Sequence, residues 1–231
     1  MSTITKPPNL QDLVNRIRNG DGILATDIDW QTSRRLLDSL GNRRLRFTYD
    51  FGSLEIMPTS RAHEIILWLV GRMLETWAAI MGVPLAIGGG MTFSRKDLDR
   101  DLAPDACYWI ANEALVRGRM NLDFTRDPSP DLVIEVEVAQ TVLDRLAILA
   151  ALRVREVWRC AATEVRIGIL QSDGQYLWGD QSLSFPTLPV AEVNRMLGLA
   201  NAVAHTTIIE EFRLAALRHL SNTGTAADER Q

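Results

Sequence analysis

Three acidic side chains lie in the otherwise apolar segment PDLVIEVEV, residues 130–138. In an extended strand alternate side chains share a face, so Asp131, Glu135 and Glu137 would point to one side of the strand. The apolar side chains between them would point to the opposite side, into a core. Burying three unpaired carboxylates together would be costly. Two interpretations follow: a half-exposed strand with solvated acids, or a divalent metal site, because hard cations such as Mg²⁺ take carboxylate oxygens.

Two further acids extend this pattern. Asp105 follows Pro104 at the start of the predicted strand APDACYWI, residues 103–110, and Glu64 stands beside His63 near the start of a predicted helix. Each has a simple structural interpretation, since Asp105 suits a solvated strand end or turn cap and Glu64 favours a helix N-terminus. His63 suits either a cap or surface position, or the positioning of water or phosphate. Together with Glu135, the two acids form a helix–strand–strand set of carboxylates.

The apolar pattern predicts the elements that carry these residues. A long helix is predicted over Ser60–Met81, with Ser60 as N-cap and with Gly82 and Pro84 after its end. Shorter helices are predicted over 9–19, 32–40 (capped by Thr32 or Ser33), 141–154, 190–199 and 207–220. Strands are predicted over 43–57 around a turn at 50–52, and over 84–88, 90–94, 103–110, 131–138, 156–160 and 164–171, with a charged loop over 94–102 and a hairpin-rich stretch over 174–186. This order predicts one mixed α/β or α+β domain.

Composition narrows the class of protein. The chain is 46% hydrophobic and 23% charged with a net charge of −4, which indicates a globular protein without the basic balance typical of nucleic-acid binders. Cys107 and Cys160 lie in no CxxC or His/Cys cluster, so we expect reduced thiols and a cytoplasmic location rather than a zinc or disulfide scaffold. The sequence predicts no signal peptide and no membrane span.

A family resemblance joins these motifs. The segment GSLEIMPTSRAHE, then APDA, then PDLVIEV closely resembles the Uma family (Uma-two) of restriction endonucleases in the PD-(D/E)XK nuclease superfamily. The segments at 144–159 and 182–193 are also similar, so the resemblance covers roughly residues 25–215.

The resemblance implies a restriction-endonuclease-like fold, with a central mixed β-sheet flanked by helices. It implies that the nuclease domain spans 25–220, while the residues themselves predict a helical extension at 1–24 and, from its polar composition, a disordered tail at 221–231. It also implies metal-dependent hydrolysis of DNA phosphodiester bonds, commonly by a homodimer. Glu64, Asp105 and Glu135 would hold one Mg²⁺ or Mn²⁺, which would lower the pKa of a bound water and neutralise charge on the phosphate. Asp131 would support the site or fix the start of the strand.

The sequence departs from the superfamily pattern at its lysine. Glu137 stands where that lysine is expected, and Arg145, on the next predicted helix, matches the position at which many Uma relatives have one. Arginine stays protonated, so Arg145 suits a charge clamp on phosphate better than a general base. Pairing of Arg145 with Asp144 or Glu137 is the alternative. Three hypotheses stay open: a nuclease using Glu64, Asp105, Glu135, Glu137 and Arg145; a weak or inactive nucleic-acid-binding or regulatory module; and a purely structural cluster with Arg145 and Arg159.

Overall fold

The computed structural model describes residues 2–4, 10–19, 21–41, 45–138 and 141–228. Its helices are α1 (Leu10–Arg18), α2 (Trp30–Leu40), α3 (Arg61–Met81), α4 (Glu113–Val116), α5 (Arg145–Ala151), α6 (Val190–Leu197) and α7 (His205–Asp228). Its strands are β1 (Ser2–Ile4), β2 (Ile23–Ala25), β3 (Leu45–Asp50), β4 (Ser53–Pro58), β5 (Ala86–Ile87), β6 (Phe93–Arg95), β7 (Arg100–Leu102), β8 (Ala106–Trp109), β9 (Leu132–Val136), β10 (Glu156–Cys160), β11 (Val165–Leu170) and β12 (Tyr176–Gly179).

The larger core is built on a mixed sheet of order β12-β11-β10-β9-β8-β5. Strands β9 and β10 are parallel, and α5 lies in the crossover between them; the other neighbours are antiparallel. One face packs against α3, α6 and α7, and the other against α5. Strand β9 is therefore interior and buried at every residue. The interpretation of 131–138 as a half-exposed strand is wrong, because helices cover both of its faces.

A second sheet has the order β1-β2-β4-β3-β7-β6 and carries α1 and α2 on its own core. Leu13 and Ile17 of α1, Leu36 of α2 and Ile56 of β4 belong to one buried cluster. The β3–β4 hairpin predicted around residues 50–52 is present, with Asp50 opposite Ser53. Together the two sheets and their helices confirm the predicted mixed α/β class.

Helix α3 is placed over β8 by a close contact. Ser60 caps its start, its hydroxyl accepting the His63 N–H at 3.2 Å, and Gly82 ends it with φ 63°. A Cβ at Gly71 would lie 2.9 Å from the Tyr108 hydroxyl, so any larger residue would force this hydroxyl or the helix to shift. The first turn of α3 lies near the start of β8, where His63 Nε2 is 3.1 Å from Asp105 Oδ1.

Two local predictions are wrong. The N-cap of α2 is Asp29 rather than Thr32 or Ser33, because the Asp29 carboxylate accepts the Thr32 N–H at 2.8 Å. The predicted charged loop at 94–102 contains β6, a 3₁₀ turn and β7. Its charged residues are compatible with strands because Asp101 is buried and paired with Arg34 at 2.9 Å.

The helix predicted over 141–154 is shorter, beginning at Arg145 and ending at Ala151. The buried Glu55 carboxylate accepts the N–H groups of Val142 and Leu143, which holds them outside the helix, and Asp144 caps its start. Helix α7 extends past Leu220 to Asp228. Residues 43–44 of the predicted strand and 229–231 of the predicted tail lie outside the described residues. The predicted domain boundaries at residues 24 and 220 stay a prediction. Within the described ranges, no helix has the length and apolar character to cross a membrane.

Candidate active site

Strand pairing brings Asp105 and Glu135 together. Ala106, the first residue of β8, pairs with Ile134 of β9, so Asp105 lies beside Glu135 and Val136. The Asp105 Oδ2 accepts the Val136 N–H at 2.7 Å, so a side-chain hydrogen bond continues the β8–β9 backbone pairing. Both carboxylates are buried, with Glu135 only 3% exposed. Buried carboxylates require positive partners.

Arg46, from β3 of the second sheet, is the first of these partners. Its Nη2 donates to Glu135 Oε2 at 2.8 Å, its Nη1 donates to the Val136 carbonyl at 3.0 Å, and its Nε lies 3.3 Å from Asp105 Oδ1. Three oxygens from three neighbouring residues therefore converge on one buried guanidinium.

Arg145, at the start of α5, is the second partner. It forms a bidentate pair with Glu135, with Nε donating to Oε2 and Nη2 to Oε1, both at 2.8 Å. Its remaining N–H groups donate to Thr48 Oγ1 at 2.6 Å, the Phe47 carbonyl at 3.2 Å and the Ala103 carbonyl at 2.8 Å. All five donors are satisfied, so Arg145 is fixed by both sheets and fixes Glu135 in turn. The predicted pairing with Asp144 or Glu137 is wrong, because the side chain extends inward to Glu135.

The two arginines balance the two carboxylates. Burial lowers the pKa of Arg46, but Glu135 and Asp105 raise it, and the net pKa lies above its ordinary value. Burial raises the pKa of Asp105, but the contact with His63 and the charge of Arg46 lower it, and the net pKa lies below its ordinary value. At neutral pH both groups are charged.

Three buried nitrogen atoms around Asp105 lack hydrogen-bond partners in the described chain: Nε of Arg46 and both ring nitrogens of His63. His63 Nε2 lies 3.1 Å from Asp105 Oδ1 without a well-directed hydrogen bond. Such atoms are rare in native interiors and often mark a functional site. The cluster is thus charge-balanced but incompletely hydrogen-bonded.

Glu64 approaches the cluster from a cavity of about 480 Å³ that Asp105 and His63 also line. Its side chain is 28% exposed, and its Oε1 lies 3.7 Å from His63 Nδ1. The exposed Trp68 and Arg72 continue the same wall along α3. Glu64 and Asp105 therefore share one cavity.

Glu135 faces a second cavity of about 630 Å³, lined also by Glu137, Arg145 and Arg159. Among the described residues that line the two cavities, Arg46 alone belongs to both. Its guanidinium contacts Asp105 of the first cavity and Glu135 of the second.

The other two acids of the segment serve different purposes. Glu137 follows β9 and pairs with Arg159 through two contacts of 2.6 Å, both side chains being about two-fifths exposed. Asp131 accepts the Ile110 N–H at 2.7 Å and the Asn112 N–H at 3.0 Å, which fixes the turn after β8. The expectation that Asp131, Glu135 and Glu137 form one acidic face is wrong, because only Glu135 joins the buried cluster.

Within the described ranges, no group of three or more His, Cys, Asp or Glu side chains is close enough to hold a metal ion. Glu64, Asp105 and Glu135 are thus not a preformed triad, and their role as ligands stays a prediction. The donor chemistry nevertheless suits a hard cation, since the oxygens around Arg46 are two carboxylates and a carbonyl. An ion could take this position only after the Arg46 guanidinium left it.

Sequence reasoning missed Arg46. The available signal was an arginine inside the strand LRFTYD, at a position where the structure has a buried side chain. Its two hydrogen-bond partners, Glu135 and Val136, lie 89 and 90 residues away in sequence, so no local pattern links them. The structural hypothesis did include arginine pairing, and both of its arginines do pair with acids: Arg145 with Glu135 and Arg159 with Glu137.

Comparison with known proteins gives the family. No curated protein matches the chain. One similar solved structure is titled a putative nuclease belonging to DUF820 from Anabaena variabilis ATCC 29413; it has 10% identity and a TM-score of 0.40 over 72% of this chain and 90% of that one. The family described as "Uma2: Putative restriction endonuclease" matches residues 30–200. This match confirms the predicted resemblance and, together with the mixed sheet, the restriction-endonuclease-like class. The chain belongs to the Uma2 family of restriction-endonuclease-like proteins.

Proposed function

We propose that the protein is a metal-dependent endonuclease that hydrolyses phosphodiester bonds in DNA. The observation that carries the proposal is the convergence of Asp105 Oδ1, Glu135 Oε2 and the Val136 carbonyl on one buried cationic group. Membership of the family described as "Putative restriction endonuclease" supports the reaction and the substrate.

Asp105, Glu135 and the Val136 carbonyl would hold Mg²⁺ or Mn²⁺, with Glu64 as the acid on the facing cavity wall. When bound, the ion would supply activation of a water and neutralisation of charge on the phosphate. Arg145 would keep Glu135 oriented and add a permanent positive charge, while remaining unable to act as a base. Glu137 is already paired with Arg159 and would contribute no free charge.

The wall of the Glu64 cavity supports a nucleic-acid substrate. Trp68 is 59% exposed there, and the Arg72 guanidinium carbon lies 5.7 Å from the centre of its ring. Bases stack on exposed aromatic rings, and arginine contacts phosphates. We therefore place the DNA strand along α3, with the scissile phosphate near Asp105.

A homodimer in the cytoplasm completes the proposal. Cutting both strands of a duplex suits two sites related by twofold symmetry. Cys107 and Cys160 are both free and buried, which suits a reducing compartment.

Replacing Asp105 by asparagine should lower the rate of DNA cleavage roughly a hundredfold or more, the scale of losing one preorganised polar group at a reacting centre. Cleavage of plasmid and single-stranded DNA is measured with Mg²⁺, with Mn²⁺ and with a chelator. Glu192→Gln on α6, which removes an acid from a partly exposed pair with Arg195, is the matched control and should keep full activity. Equal activity of Asp105→Asn and wild type, or activity in the chelator, would contradict the proposal.

One observation favours a second candidate, a weak or inactive module that binds nucleic acid. Arg46 and Arg145 already neutralise Asp105 and Glu135, and no lysine occupies either lysine position. DNA binding without cleavage under every metal condition would select this candidate. If the protein neither binds nor cleaves DNA, only the structural interpretation of the cluster remains.

A further inference from the structure

Arg46 is placed to connect the two cavities of the site. Glu64 and Asp105 line one cavity, Glu135 lines the other, and Arg46 lines both. The Arg46 guanidinium contacts Asp105 at 3.3 Å and Glu135 at 2.8 Å, so it lies between the oxygens of the two acids. If the guanidinium moved away, those oxygens would lose this shared cation.

The two arginines of the cluster are held very differently. Arg145 uses all five of its donors and lines only the cavity of Glu135. Within the described residues, Arg46 donates hydrogen bonds only through Nη1 and Nη2, and its buried Nε lies 3.3 Å from Asp105 Oδ1 without a hydrogen bond. Arg46 therefore loses fewer contacts on leaving than Arg145 would.

Because both are positively charged, Arg46 and a divalent ion would compete for the same oxygens. Arg46 and Arg145 already balance the charges of Asp105 and Glu135. A cation that took Glu135 Oε2 and the Val136 carbonyl would repel a guanidinium at the same oxygens. A displaced guanidinium needs another anion as its partner. A nucleic-acid phosphate suits it well, because its oxygens accept two parallel hydrogen bonds from a planar guanidinium.

We propose that Arg46 alternates between two anionic partners: the Asp105–Glu135 cluster when the site is empty, and a phosphate of the bound substrate when it is loaded. The proposal rests on the proposed nuclease function and adds a phosphate-binding residue to it. Release of Arg46 to the phosphate frees the oxygens for the ion. Binding of the ion and of the nucleic acid is therefore coupled, and each strengthens the other.

Mn²⁺ affinity, followed by the electron paramagnetic resonance signal of the free ion, tests this coupling without requiring turnover. The probe is a short DNA duplex with phosphorothioate linkages, and its control is the same duplex with uncharged methylphosphonate linkages. We expect the phosphorothioate duplex to tighten Mn²⁺ binding to the wild type about tenfold, within the usual range of coupling between sites. The methylphosphonate duplex should leave the affinity unchanged.

Arg46→Gln should bind Mn²⁺ about tenfold more tightly than the wild type without DNA, and the duplex should add little, because the competing cation is gone. Arg159→Gln removes an equal charge from the second cavity and should change the affinity less than about threefold, because its pair with Glu137 is exposed. Circular dichroism checks folding, and the wild-type experiment stands even if Arg46→Gln does not fold.

The outcomes separate this inference from the proposed function. If the protein cuts DNA but its Mn²⁺ affinity does not depend on the phosphorothioate duplex, the role of Arg46 is overturned and the nuclease function is not. Equal Mn²⁺ affinity of Arg46→Gln and wild type would do the same. If neither protein binds Mn²⁺ with or without DNA, the metal-dependent function falls together with the inference.

Discussion

Replacing Glu135 by glutamine should lower the free energy of unfolding by about 3–5 kcal/mol, the usual cost of removing one partner from a buried ion pair. The substitution keeps the shape of the side chain but leaves Arg46 and Arg145 with only Asp105 as a buried counter-charge. Chemical denaturation followed by circular dichroism measures the change. An unchanged dependence on denaturant would show that the loss is one of stability and not of cooperativity.

Glu137→Gln is the matched control for this experiment. It removes the same charge two residues further along the chain, from a pair with Arg159 in which both side chains are about two-fifths exposed. Exposed pairs of this kind contribute about 0–1 kcal/mol, so the control should remain close to wild type. Similar losses in the two variants would mean that the burial of Glu135 is not what makes its charge important.

Replacing Arg145 by methionine should have an effect of similar size, about 3–5 kcal/mol, because it breaks a buried bidentate pair and removes three other hydrogen bonds. Thr48 and the Ala103 carbonyl would lose donors, and α5 would lose the hydrogen bonds by which Arg145 joins it to β3 and to the start of β8. Arg145→Lys keeps the charge but cannot reproduce the planar fork, so it should recover only part of the loss.

Arg159→Met is the control for Arg145, since it shortens an arginine of an exposed pair. Its loss should stay below about 1 kcal/mol. The double variant Glu135→Gln with Arg145→Met should lose less than the sum of the two single variants, because the second change removes a charge that the first left unpaired. Full additivity would contradict direct coupling between the two residues.

Short-range patterns predicted the parts of the fold that depend on neighbouring residues. Helix α3, with Ser60 as its cap and Gly82 after its end, follows from local spacing and backbone preference. The turn between β3 and β4 follows from Asp50 to Gly52. The resemblance implied that Asp105 and Glu135 belong to one site, and the pairing of β8 with β9 places Asp105 beside Glu135 and Val136.

Contacts between distant parts of the chain account for what was missed. Arg46 reaches Glu135 from another sheet across 89 residues, and no spacing rule relates them. Glu55 shortens α5 by holding the backbone of Val142, 87 residues away. Asp101 is buried in a strand because Arg34 of α2 pairs with it. Each of these charged side chains appears solvated from sequence and is buried because a distant partner meets it.

A crystal structure with Mn²⁺ and the phosphorothioate duplex tests the central claim most directly. The account predicts anomalous scattering from an ion between Asp105, Glu135 and the Val136 carbonyl, with Arg46 moved onto a phosphate and Arg145 still paired with Glu135. An Arg46 that still donates to Glu135 and to the Val136 carbonyl, with the ion elsewhere or missing while DNA is bound, would contradict it.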